Sequence, residues 1–85
     1  MCYKKVYVGV IVEFLSVGGL RPRKILWEDG AIYIIDRVKF IDTAPAKSGG
    51  FLTTRFTCVF GEKERYLYYE KERDRWFVEV CVLNE

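Results

Sequence analysis

Lys5-Val6-Tyr7-Val8-Gly9-Val10-Ile11-Val12-Glu13-Phe14 is apolar at every even position, from Val6 through Val8, Val10 and Val12 to Phe14. Its odd positions, Lys5, Tyr7, Gly9, Ile11 and Glu13, are mixed. Successive side chains of a strand point to opposite faces, so this alternation predicts one long strand with one face in the core and the other partly covered. Gly9 inside it predicts a bend or bulge.

Ser16-Val17-Gly18-Gly19 closes that strand in a turn, and a second strand is expected from Leu20 to Glu28. Pro22 cannot donate to a ladder, which places the start of this strand at an edge. Asp29-Gly30 lies between two apolar-rich runs and reads as a two-residue type I′ hairpin turn. That register sets Glu28 opposite Ala31, Trp27 opposite Ile32 and Ile25 opposite Ile34. The third strand, Ala31 to about Ile41, loses its alternation at Ile34-Ile35, so a bulge or sharp bend belongs there. Asp42 to Gly50 holds a proline, glycines and no large apolar residue, and reads as an exposed, mobile loop. Phe51–Phe60, Arg65–Glu70 and Arg75–Val82 complete the set, separated by turns at Gly61–Glu64 and Lys71–Asp74. Glu62 to Arg75 has the composition of a short amphipathic helix. Tyr66, Tyr68 and Tyr69 favour strand, and the turn residues are spaced for hairpins.

Consecutive strands on short loops make an antiparallel meander. The expected fold is therefore all-β: one domain over residues 1–85, about six strands curling into a small barrel or a strongly bent sheet, with zero or one short helix. A chain of 85 residues that is 51% hydrophobic and 16% aromatic is well supplied for one core, although a domain of this size buries only about 60 to 65% of its unfolded surface.

The first apolar run is short, broken by Glu13 and followed by no small-residue cleavage site, so it reads neither as a signal peptide nor as a membrane span. Cys2, Cys58 and Cys81 are odd in number and far apart, unlike the disulfide framework of a small secreted domain. Cytoplasmic residence is expected. No C-x-x-C pair and no histidine are present, so no metal and no cofactor are expected, and Cys58 and Cys81 read as buried or half-buried thiols.

The absence of histidine also removes the commonest general base. Ser16 and Ser48 sit in glycine-containing turns without the context of an activated hydroxyl. No catalytic residue is assigned, and the chain is not expected to be an enzyme. Arg and aromatic residues interleave more suggestively. Arg23, Lys24, Arg55, Tyr66, Tyr68 and Arg75 could form a basic groove with stacking platforms for single-stranded nucleic acid. Against that, a net charge of +2 is only mildly basic, and acidic residues dilute the field around the last strands.

Trp27 to Val38 (W-E-D-G-x-x-Y-x-I-D-x-V), Arg55 to Cys58 (R-F-T-C), Glu64 to Glu70 (E-R-Y-L-Y-Y-E) and Arg75 to Glu79 (R-W-F-V-E) together resemble a group of short uncharacterised proteins of Gram-positive bacteria. The resemblance covers most of Arg23 to Glu79 and implies no activity, cofactor or site residue. The W-x-x-G-x-x-Y pattern with the terminal R-W-x-V also looks, more remotely, like small actinobacterial proteins encoded near translesion polymerase genes, which leans toward nucleic acid.

The leading expectation is a non-enzymatic binding module. Its partner would be a protein, including a second copy paired through the apolar strand near the N-terminus. Single-stranded nucleic acid is the alternative, and no membrane is involved.

Overall fold

The computed structural model describes residues 2–50 and 52–82. Phe51, expected to open the fourth strand, lies outside them. Seven strands are present: β1 (Cys2–Phe14), β2 (Leu20–Leu26), β3 (Ile32–Ile34), β4 (Arg37–Pro45), β5 (Leu52–Phe60), β6 (Lys63–Glu70) and β7 (Arg75–Val82). Among the described residues there is no helix, and thus none long and apolar enough to cross a membrane. The sheet order is β3-β2-β1-β7-β6-β5-β4 and every pairing is antiparallel. The expected all-β, strongly bent sheet is the fold, a curled half-barrel in which consecutive strands pair except β3 and β4, which lie at its two edges, while β1 pairs with β7.

The curl comes from two places where one stretch of chain serves two arms of the sheet. Cys2–Val8 of β1 pair with β7, whereas Gly9–Phe14 pair with β2. The switch falls at Gly9, where an added Cβ would stand 3.4 Å from the Leu26 side chain. The second place is the Ile34-Ile35 doublet. The expected third strand breaks there into β3 and β4, which is why seven strands replace about six. Ile35 donates its N–H to the Arg23 carbonyl of β2 (2.9 Å), and Asp36 donates to Val59 of β5 (2.8 Å). The kink therefore ties a three-stranded arm (β3, β2 and the second half of β1) to a five-stranded arm (the first half of β1, then β7, β6, β5 and β4).

Between the arms lie Ile25, Ile35, Phe56, Cys58 and Leu67, flanked by Val8, Val10, Trp27, Trp76 and Val78. These are the inward-facing residues of the alternating strands, Val8 and Val10 among them. Burial pushes the Cys58 thiol up to about 11, because a thiolate there would lose its hydration. Cys81 is exposed, so its reading as a buried or half-buried thiol is corrected. It lies on the face of β7 opposite Val78 and Val80.

Two local expectations change and one alternative is settled. The Asp29-Gly30 turn is not type I′, which requires positive φ at both residues: Gly30 has φ 93°, and Asp74 is the one non-glycine with positive φ among the described residues. Gly30 N–H donates to Trp27 O (2.9 Å) and Trp27 N–H to Ala31 O (2.8 Å). This is a three-residue loop with a glycine bulge, and it slips the register by one, so that Leu26 faces Ile32 and Ile25 faces Tyr33. Glu62–Arg75 forms the β6–β7 hairpin, the reading that Tyr66, Tyr68 and Tyr69 favoured over a helix. Finally, the first part of Asp42–Gly50 is the end of β4, and the segment, exposed for most of its length as expected, is a strap anchored by Ala44 and Ala46, both buried at 6% exposure. Pro22 fits its expected edge, because β3 pairs only with Lys24–Leu26 of β2.

Candidate binding surfaces

Residues directly opposite across antiparallel strands share a face. On the three-stranded arm, Ile25 opposite both Val10 and Tyr33 forms the inward row. The neighbouring rows, Ile11–Lys24–Ile34 and Gly9–Leu26–Ile32, therefore face outward. Ile11, Leu26, Ile32 and Ile34 are 47%, 37%, 59% and 63% exposed. They form one aliphatic patch interrupted by a single cation, Lys24. Phe14 and Val17 add exposed apolar surface at the tip of the same arm, at 78% and 91%. Beside the patch, the edge of Gly9–Phe14 that faces away from β2 pairs with no strand among the described residues.

The second surface is internal. β6 and β7 pair only through Tyr68–Phe77, Tyr69–Trp76 and Glu70–Arg75. Beyond Tyr68 they part, since the front half of β6 follows β5 and the back half of β7 follows β1. The parting opens a cavity of about 510 Å³ between the arms, at the end that carries the Glu28–Gly30 and Gly61–Glu62 turns. Ile25, Trp27, Tyr33, Phe60, Val78 and Val80 form its apolar walls, and Lys47, Lys63, Arg65, Glu64 and Glu79 stand around it.

The third surface is the outer face of the five-stranded arm, where Asp42, Arg55, Tyr68, Phe77 and Tyr7 form one cross-strand row. Arg55 forks onto Asp42 (3.0 and 2.6 Å) and lies 4.5 Å from the Tyr66 ring centroid. That hydrogen-bonded guanidinium holds the Asp42 carboxyl below its ordinary range. Arg75 covers Tyr7 at 4.1 Å, Lys5 covers Phe77 at 5.0 Å and Lys47 covers Tyr3 at 5.0 Å.

The residues singled out for nucleic acid divide between these surfaces. Arg55, Tyr66 and Tyr68 are brought together, with Arg75 further along the same face, 3.6 Å from Glu70. Arg23 and Lys24 belong to β2 on the other arm, and Arg23 is paired with Glu13. Tyr68 offers no open ring: it is 1% exposed, sandwiched by Phe77 and Ala46. Burial and the neighbouring Glu79 carboxylate push its hydroxyl up to about 12.

Glu79 fastens the strap. Although burial acts to raise its pKa, the hydrogen bonds it receives from the strap at Ser48 and from Tyr68 prevail and hold it below the usual carboxylate range. The Ser48 N–H donor lies 2.5 Å from the carboxylate. Neither the strap nor the cavity could be found from strand alternation, which is silent about loops that fold back and strands that diverge. No protein-family model, curated protein or solved structure matches this chain.

Proposed function

We propose that this chain is a non-enzymatic, cytoplasmic association module that pairs with a second copy of itself along the free Gly9–Phe14 edge of its three-stranded arm. The supporting observation is the patch of Ile11, Leu26, Ile32 and Ile34 beside an unpaired strand edge. Contiguous exposed aliphatic surface is costly to leave in water and marks interaction sites. The neighbouring edge, Gly9–Phe14, supplies main-chain donors and acceptors that pair with no strand among the described residues. Antiparallel pairing of this edge with its copy about a two-fold axis would extend the three-stranded arm into a six-stranded sheet and set the exposed Ile11 of each copy against the other, the self-complementary arrangement a closed dimer requires. The free thiols of Cys58 and Cys81 suit a reducing compartment.

Sedimentation equilibrium tests this reading. The native chain should sediment as a dimer of the 10.0 kDa protomer, and Ile11→Glu, at an exposed site on the edge strand, should sediment as a monomer with an unchanged circular-dichroism spectrum. A native monomer throughout the micromolar range, or an Ile11→Glu dimer, would contradict it.

A second reading has its own support. Arg55 over Tyr66 and Arg75 over Tyr7 give the five-stranded arm a face of cations and half-open rings, the chemistry that binds single-stranded nucleic acid. Titration of labelled single-stranded DNA and RNA at low salt separates the two readings. Binding that weakens steeply with salt and is lost in Tyr66→Ala supports nucleic acid, and the absence of binding removes it.

A further inference from the structure

The cavity between the arms is built differently from the patch. Its lining is largely apolar, with the buried Ile25 beside Trp27, Phe60, Val78 and Val80. Its volume, about 510 Å³, falls within the span of small-molecule sites. Its mouth is mixed in charge, Lys47, Lys63 and Arg65 standing against Glu64 and Glu79. Glu64 is engaged by Lys39 at 2.8 Å, and Glu79 accepts the Ser48 N–H. Lys63 and Arg65, by contrast, have no ion-pair partner among the described residues. The Arg65 guanidinium bonds only the carbonyl of Glu64 (2.8 Å), which leaves its charge uncompensated. Lys63 and Arg65 share the inward face of β6, opposite Phe60 and Cys58 of β5. They therefore stand where an anion would sit if its apolar part entered beneath them.

We infer that the cavity binds a small amphipathic carboxylate, with its hydrocarbon body among Ile25, Trp27 and Phe60 and its carboxylate at Lys63 and Arg65. Hydrocarbon leaving water supplies the drive. The cations supply head-group selectivity, because Arg presents a fork that matches a carboxylate. The parted strands supply the entrance, with no helix or loop needing to move aside.

Three probes that share a chain and differ in head group decide the matter: dodecanoate, dodecanol and dodecylamine, each kept below its solubility limit and below any micelle formation. Each is titrated into the full chain and followed by tryptophan fluorescence and calorimetry. Dodecanoate should bind at one site per chain, about tenfold tighter than dodecanol, with dodecylamine weakest. Salt should shrink that advantage. The Lys63→Glu/Arg65→Glu double variant should lose the preference for dodecanoate yet still take dodecanol. Val80→Trp, which fills the cavity, should take none of the three. Ile34→Glu, on the outer patch, should bind dodecanoate like the native chain. No saturable binding, equal affinity for dodecanoate and dodecanol, or a preference that survives the double variant would overturn the inference.

Discussion

Tyr68 and Phe77 face each other across β6 and β7 with their rings parallel to within 4° and their centroids 4.9 Å apart, at the last pair before the two strands part. They lie on the outer face of the sheet, yet both are sealed from water, at 1% and 0% exposure. The strap from β4 supplies the missing layer through Ala46. A strand pair that opens on one side of this stack and closes on the other uses it as a clasp.

Removing one half of the clasp should be costly. Tyr68→Ala takes away a fully buried aromatic and its stack with Phe77, and should destabilise the fold by about 3–5 kcal/mol. Urea denaturation measures this directly. A loss under about 1 kcal/mol, typical of surface substitutions, would mean that Tyr68 is not part of a core.

The strap should respond to acid. The Glu79 carboxyl titrates below its ordinary range in the folded chain, so its contribution is complete above the unfolded value. That contribution is lost as pH falls through the depressed folded value. Stability should therefore drop on the acid side, with the Ser48 amide resonance moving in step as its acceptor is protonated. Glu79→Gln should flatten that part of the profile. A Ser48 amide insensitive to acid would separate the strap from Glu79.

Gly30 should resist substitution for backbone reasons alone. Its φ is 93°, and an added Cβ would meet no atom within 4 Å. Gly30→Val therefore incurs only the left-handed penalty, about 1–2 kcal/mol. The Asp29 carboxylate, which accepts the Ala31 N–H at 2.8 Å, should keep the turn in place. An unchanged unfolding midpoint would show that this turn relaxes freely.

That turn also shows which features the residues carry and which they do not. Asp29-Gly30 announces a tight hairpin, but type I′ and the glycine-bulge loop both favour glycine at the same place and differ in φ at Asp29. The register slip was thus beyond sequence. Strand positions were readable wherever one face is buried, as at Val8 and Val10 or Trp76 and Val78, and so was the break at Ile34-Ile35, where two large aliphatics in succession cannot share one face. Burial of Tyr68 depends on Ala46, remote in sequence. The patch combines single residues from β1, β2 and β3 that only the final register places side by side. The cavity exists because β6 and β7 stop pairing after Tyr68, and nothing in their alternating residues marks that point.

Pairing of a second copy along the Gly9–Phe14 edge is tested most directly by amide hydrogen exchange at two protein concentrations. In concentrated solution, the amides of this stretch that point away from β2 should exchange slowly. On dilution they should become as fast as the amides of the Ser16–Gly19 turn, while those pointing toward β2 stay slow. Fast exchange of the outward-pointing amides at every concentration would contradict pairing at this edge.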